Sequence, residues 1–276
     1  MTERRRRRRR VRLWPGARTR RRWLRTLRRA PPLLQLIMGF AALALLALAV
    51  NGVYQLIRKP TELLFPVSGV LYKSPVETWG EYAPLFRRYS TATITPELLA
   101  ALAQVEGSGN PLVRTYWRWS WAREPFKVYR PASSAVGMYQ ITDGTFEVAR
   151  HYCIHHHVLT REGPWNDLGS CWFNRLYLRV LPGDAIELTA AYLDLEVSDI
   201  LGPRRATLRP AEVRHLAAVV HLCGAGAAQA YVRRGWRFTE GERCGDHDPR
   251  AYLARVDALE AVFAGLAARV AAAASQ

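Results

Sequence analysis

Residues 95–111 read Thr-Pro-Glu-Leu-Leu-Ala-Ala-Leu-Ala-Gln-Val-Glu-Gly-Ser-Gly-Asn-Pro. Thr95 offers a capping hydroxyl, Pro96 takes the first helical position, and Glu97 places an acid in the first turn. Leu98, Leu99, Leu102 and Val105 mark a buried face, and Gly107 and Gly109 end the helix. Glu106 follows Leu102 by four positions, so it falls on the apolar side at the C-terminal end. A carboxyl at such a place is suited to giving and taking a proton. The plainer alternative is a helix-end Glu paired with one of the many arginines.

Outward from this helix, helical signals recur at about 143–157, 170–181, 184–201, 210–222 and 248–272. In the last, Tyr252, Val256, Leu259, Phe263, Leu266 and Val270 alternate spacings of four and three, the stripe of a helix packed on a core. No run of period-two strands and no internal repeat emerges, so the expected fold is mainly α. Pro60, Pro66, Pro75 and Pro84 punctuate residues 58–92, which read as an extended, partly packed juxtamembrane linker ahead of a domain spanning 93–276.

The chain has 276 residues and a formal charge of +17, a composition that excludes a wholly disordered, collagenous or disulfide-dense small scaffold. The charge is unevenly placed: residues 1–30 carry 15 arginines and one acid, and the remainder has a net charge of only +3. Leu33 to Val50 then runs 18 residues with Gln35 alone strongly polar, and the apolar character extends to Ile57. Residues 31–57 are long enough to cross a bilayer as a tilted helix. Arginines crowd one side and only Arg58, Lys59 and Lys73 follow closely, so the Arg-rich tail of residues 1–30 is expected in the cytoplasm. Ala47-Leu48-Ala49 resembles a cleavage site and Thr19 to Arg25 loosely a twin-arginine signal, but the apolar stretch exceeds a normal signal core, favouring a retained anchor. Topology and anionic headgroups account for the basic tail without a nucleic acid partner.

Cys153, Cys171, Cys223 and Cys244 form an even set, which in an oxidising compartment suggests two disulfides with three connectivities possible. Proximity in sequence favours Cys153–Cys171 and Cys223–Cys244. His151, His155, His156 and His157 crowd around Cys153 in a spacing that fits no closed zinc pattern, so no metal is assigned.

Three further blocks stand out, and together they resemble the transglycosylase SLT domain, the lysozyme-like fold of bacterial lytic transglycosylases. The first is Glu106-Gly107-Ser108-Gly109-Asn110-Pro111, set against the family's helix ending in Glu-Ser with a nearby Asn-Pro. The second, Ser134-Ala135-Val136-Gly137-Met138-Tyr139-Gln140, is similar to Gly-Ala-x-Gly-Leu-Met-Gln. The third, Val219 to Gly226, is similar to Ala-Tyr-Asn-Ala-Gly-Pro-Gly, and Ala190-Ala191-Tyr192-Leu193 resembles the family's Tyr-Leu helix. The likeness spans residues 93–235, about half the chain. It differs in placing Gly107 for Ser, Ser134 for the first Gly, and His221-Leu222 for Tyr-Asn, where the family's Tyr contacts the catalytic Glu.

The resemblance implies that Glu106 protonates the oxygen between N-acetylmuramic acid and N-acetylglucosamine, then acts as base on the muramic C6 hydroxyl. A 1,6-anhydro product forms with no second carboxylate, no metal and no cofactor, unlike the two-carboxylate glycosidases. It further implies that Gln140 binds sugar or orients Glu106, that Met138 and Tyr139 line the cleft, and that Ser108 and Asn110 contact substrate. His221 takes the family Tyr's place beside Glu106 or is a buried structural histidine. Asp143, Glu147 and Glu124 are the other acids considered, with helix capping the simpler account of Asp143.

Between the first two blocks, Tyr116-Trp117-Arg118-Trp119-Ser120-Trp121 alternates aromatic and polar residues. Trp117 and Trp119 either wall a glycan cleft or pack inward from a short strand or loop. Arg118, Arg123, Lys127 and Arg130 are read by default as solvated surface charge.

The expected protein is thus a lysozyme-like globular domain behind one N-terminal transmembrane helix. It would be an inner-membrane lytic transglycosylase facing the periplasm, acting on glycan strands around an envelope-spanning machine such as a secretion or conjugation apparatus. The alternatives are a hydrolytic muramidase and a non-catalytic peptidoglycan-binding scaffold subunit.

Overall fold

The computed structural model describes residues 30–119, 128–167 and 169–274. The Arg-rich tail, Trp121, Arg123, Glu124 and Lys127 lie outside the described residues. Contacts divide the chain into one unit of Met1–Tyr54 with Ser120–Tyr129 and a second of Gln55–Trp119 with Arg130–Gln276.

Helix α1, Pro32–Arg58, has 27 residues and a mean hydropathy of 2.5 over its most apolar window. At ~1.5 Å per residue it is long and apolar enough to cross a membrane. Leu33, Phe40, Leu43 and Leu45 on it are each more than 60 % exposed, so no core among the described residues covers them. Within the first unit, Asn51 Nδ2 donates to the Tyr129 carbonyl at 2.6 Å.

The second unit is mostly helical and is organised around α3, Pro96–Gly107. Thr95 Oγ1 accepts from Leu98 N at 3.2 Å, as the capping sequence expects. Leu98 to Ala103 are all fully buried, so this stretch has no solvent face, and a helix apolar all round must lie inside other helices. The covering elements are α2 (Pro75–Tyr89), α5 (Pro182–Leu201) and α8 (Pro249–Ala274), with α6 (Pro210–Cys223) packed on α5 and α8. Between them lie α4 (Asp143–Ala149) and, after Gly224, α7 (Ala225–Arg233).

Helix α2 corrects the expectation of an extended linker over residues 58–92. Ser74 and Glu77 form a reciprocal capping box, with Glu77 Oε2 accepting from Ser74 N at 2.7 Å. Pro75 sits where a proline costs nothing, and Pro84 is accommodated inside the helix. Trp79, Tyr82, Ala83 and Phe86 follow the i, i+3, i+4, i+7 pattern and are all buried. Phe86 packs on Trp79 and Tyr82, and Phe263 of α8 closes on Trp79 at 5.6 Å between ring centroids. The apolar stripe of α8 is core as expected through Phe263, whereas Val270 is half exposed.

Two other expectations change. The helix expected at 143–157 stops at Ala149, and its capping residue is Thr142, whose Oγ1 accepts from Thr145 N. The chain then folds into an antiparallel hairpin of β3 (Tyr152–His155) and β4 (Val158–Arg161) with Cys153 opposite Thr160. The stretch expected at 170–181 is a 3-10 helix over Cys171–Leu176. The short strands β1 (Trp117–Trp119) and β2 (Tyr129–Pro131) pair with each other. Both favoured disulfides are present: Cys153–Cys171 fastens the hairpin to the 3-10 helix, and Cys223–Cys244 ties the end of α6 to the loop before α8. Each closes a loop of 18 or 21 residues, which adds about 3 kcal/mol.

Burial of α2 is measurable. Phe86→Ala in the full chain is expected to destabilise the folded unit by about 3–5 kcal/mol in chemical unfolding, the cost of emptying a core aromatic site. A change within about 0.5 kcal/mol, as for a surface residue, contradicts the packing described.

Candidate functional site

Glu106 stands one residue before the end of α3, where the helix leaves the core and its side chain is 19 % exposed. Tyr252 of α8 donates its hydroxyl to Glu106 Oε1 at 2.7 Å. The phenol is buried, and burial together with the Glu106 charge drives its pKa far above the ordinary value, so it remains a donor at every physiological pH. His221, in the last turn of α6, brings Nε2 to 3.7 Å from the same oxygen. That separation is longer than a hydrogen bond. Burial lowers the His221 pKa, and the attraction of Glu106 only partly opposes it. A buried imidazole therefore stands neutral beside the carboxylate, so we describe the contact as close approach rather than an ion pair. Tyr139 meets the His221 ring edge-on at 6.3 Å between centroids.

Among the described residues no arginine or lysine pairs with Glu106, so the arginine-paired alternative is not what the fold builds. The other acids are committed elsewhere. Asp143 pairs with Arg179 at 2.8 Å, and Glu147 pairs with Arg150 at 2.7 Å.

The loop of residues 134–141 reaches this site through close backbone contact. A Cβ on Gly107 would lie 3.0 Å from both the Cα and the carbonyl oxygen of Met138, so a side chain at 107 would require the loop to give by a few tenths of an ångström. Glycine, where the resemblance leads one to expect serine, fits this close approach. Gly137 adopts φ +79°, and a Cβ there would fall 2.1 Å from the Arg179 carbonyl oxygen. All three blocks singled out in the sequence thus meet around Glu106: the turn that follows it, the 134–141 loop, and the His221 end of α6.

Several predicted roles within these blocks require correction. Met138 and Tyr139 are fully buried and belong to the core, not to a cleft wall; Tyr139 donates to the Leu99 carbonyl at 3.0 Å. Asn110 is fully buried as well. Its Nδ2 donates to the Ser68 carbonyl at 2.6 Å and its Oδ1 accepts from Leu112 N, so it pins the segment before α2 instead of meeting a substrate. Gln140, with φ +49°, donates through Nε2 to the carbonyls of Val113 and Gly137 and has no hydrogen bond to Glu106 among the described residues. Ser108 is the left-handed cap of α3, and its carbonyl accepts from Lys73 N.

Trp117 donates to Glu62 Oε2 at 2.9 Å, and the same carboxylate takes Arg114 at 2.7 Å and faces Lys59 at 3.3 Å. Trp117 is thereby tied to a buried ion cluster, while Trp119 is 63 % exposed. The grouping of Cys153, His155 and Cys171 offers no metal site, because both sulfurs are consumed by the disulfide.

Tyr252 is the site residue that sequence reasoning missed. It lies 146 positions from Glu106 and was read as one member of an apolar stripe. Its hydroxyl was the available signal, since a phenol inside an otherwise apolar stripe must find an acceptor when buried. No protein-family model matches this chain, and no curated protein matches it in sequence.

The neutral His221 makes stability depend on pH. Its folded pKa lies below the ordinary 6.5, so under more acidic conditions the unfolded chain takes up a proton that the folded chain resists. Stability is full above that value and falls as pH drops through it, by up to about 1.4 kcal/mol per pH unit. His221→Gln is expected to flatten the fall between about pH 7 and pH 5 in unfolding measurements. Parallel curves for the two proteins refute a buried neutral imidazole.

Proposed function

We propose that this chain is a membrane-anchored lytic transglycosylase of lysozyme-like fold. It cuts the β-1,4 bond between N-acetylmuramic acid and N-acetylglucosamine and leaves a 1,6-anhydro end. The observation that carries the proposal is the convergence of three sequence-distant blocks on one accessible carboxylate with no arginine or lysine partner among the described residues. Tyr252 supports it further. Where the family resemblance expects a Tyr beside the catalytic Glu, this chain has His221, and a phenol from α8 supplies the missing hydrogen bond.

The geometry divides the carboxylate's two oxygens. Oε1 is engaged by Tyr252, which fixes the side chain's rotation. Oε2 is then the atom that passes a proton to the glycosidic oxygen as that bond breaks. It next accepts the proton of the C6 hydroxyl as this oxygen closes on C1. The same group serves in both steps, so the carboxylate ends as it began. With Asp143 and Glu147 engaged by arginines elsewhere, a one-carboxylate mechanism fits better than a retaining or inverting pair.

In this reading α1 is the anchor, residues 1–30 lie in the bacterial cytoplasm, and the folded unit acts on glycan in the periplasm. Oxidised Cys153–Cys171 and Cys223–Cys244 are compatible with that side of the membrane. A tethered enzyme of this kind suits local opening of the wall around an envelope-spanning apparatus.

Purified sacculi incubated with the full chain in detergent are expected to release muropeptides carrying the anhydro mass. Glu106→Gln should reduce release by at least about a hundredfold, and Tyr252→Phe should lower turnover about tenfold with the product unchanged. Reducing-end products in place of anhydro ends identify a hydrolytic muramidase. Release indistinguishable between the chain and buffer refutes an enzyme and leaves a peptidoglycan-binding scaffold.

A further inference from the structure

A cleft of about 730 Å³ lies within the second unit, and Glu106 is not among its lining residues. A cleft of this volume takes a ligand of short-peptide size. Ser134 and Val136 line it from the same loop whose Met138 backbone meets the end of α3. Val136 and Met138 are two positions apart, a span of at most about 7 Å, so one loop serves both the carboxylate and the cleft.

The cations of this lining differ in what they hold. Lys59 faces Glu62 at 3.3 Å and donates to the Ala135 carbonyl at 2.9 Å, Arg179 pairs with Asp143 at 2.8 Å, and Arg58 has a contact of its own. Arg130 has no carboxylate partner among the described residues, and its buried Nε has no hydrogen-bond acceptor. A guanidinium short of acceptors is suited to a carboxylate, which it binds through paired hydrogen bonds. The opposite charge is available too. The Asp143 side chain is 69 % exposed, and Arg179 takes its Oδ1 while Oδ2 has no hydrogen-bond partner among the described residues. Leu63, Leu64, Phe146 and Leu178 complete the lining, and Leu63 and Leu178 are more than half exposed. A matching ligand carries a carboxylate, an ammonium group and small apolar groups on one short chain, which is the chemistry of a short peptide.

We propose that this cleft binds the peptide stem of a glycan strand, with Arg130 taking a stem carboxylate, Asp143 the free amine of its diamino acid, and Leu63 and Leu178 its alanine methyl groups. The proposal rests on the reading of Glu106 as a glycan-cutting carboxylate, because the strand so cut bears such stems on its muramic acid. Three extended residues reach about 10 Å, enough to pass the span between Met138 and Val136. Holding the stem selects strands that still carry their peptides over strands that have lost them.

The test uses the full chain in detergent, with the N-acetylated tripeptide of L-alanine, γ-linked D-glutamate and meso-diaminopimelate as probe and calorimetric titration as readout. Wild type is expected to bind the probe saturably, Arg130→Ala about tenfold more weakly and Arg130→Lys in between, with all three folded by circular dichroism. Acetylating the diaminopimelate amine as well should weaken binding to wild type about threefold, the worth of an exposed ion pair. On glycan, Arg130→Ala should raise KM about tenfold for peptide-bearing strands with kcat unchanged, and leave KM as in wild type on strands stripped of peptide by an amidase. Absent binding to wild type, or equal affinity in wild type and Arg130→Ala, overturns the cleft whether or not glycan is cut. Binding that depends on Arg130 in a chain that releases no muropeptides supports the peptide site and overturns only the cutting reading. Displacement of the probe by inorganic phosphate at equal concentration overturns the peptide occupant and identifies a phosphate site.

Discussion

Leu98 to Ala103 form a stretch of helix with no face to water, and the second unit is arranged to cover it. Burying six consecutive side chains in one helix requires neighbours on all sides. Helices α2, α5 and α8 contact α3 directly, although the nearest and farthest of them lie at opposite ends of the unit's sequence. The polar end of α3 emerges only after this obligation is met. Glu106 is thus held at the margin of the core by a rigid element, with one side against packed residues and the other open.

The margin is built with few degrees of freedom. Gly107 lets the Met138 backbone come within about van der Waals reach of the helix end, and Tyr139, one residue on, is locked into the core by its bond to Leu99. Tyr139 in turn presses on His221. Met138 and Tyr139, which the resemblance cast as cleft lining, instead form a buried support beside the carboxylate. Such a support holds the position of Glu106 from beneath.

Much of this was legible in the sequence because it is written locally. Thr95, Pro96 and Glu97 announce α3, the spacings of four and three announce α8, and the proximity of the cysteines gives both bridges. Other features were hidden because local signs compete. Pro75 and Pro84 read as breakers, yet the first is a helix start, and the Trp79 to Phe86 pattern outweighs the second. The Tyr152–Arg161 hairpin was hidden by a histidine-rich turn in which His156 and His157 both take positive φ, a conformation usually marked by glycine or asparagine. The partner of Glu106 was hidden for a different reason. A contact spanning 146 positions leaves no periodicity to read, and only the folding of α8 across α3 creates it. The charge of +17 misleads in the same way, since the cationic groups that converge structurally, at 58, 59, 130 and 179, are scattered through the near-neutral remainder.

The bridge between Cys223 and Cys244 begins two residues beyond His221. In a cell this makes the neighbourhood of the carboxylate a product of two events, folding and oxidation. Under reducing conditions both cysteines are thiols, and the end of α6 is held by packing alone. Oxidation fastens it covalently two residues from His221, so the setting of the carboxylate is finished only once the bridge has closed.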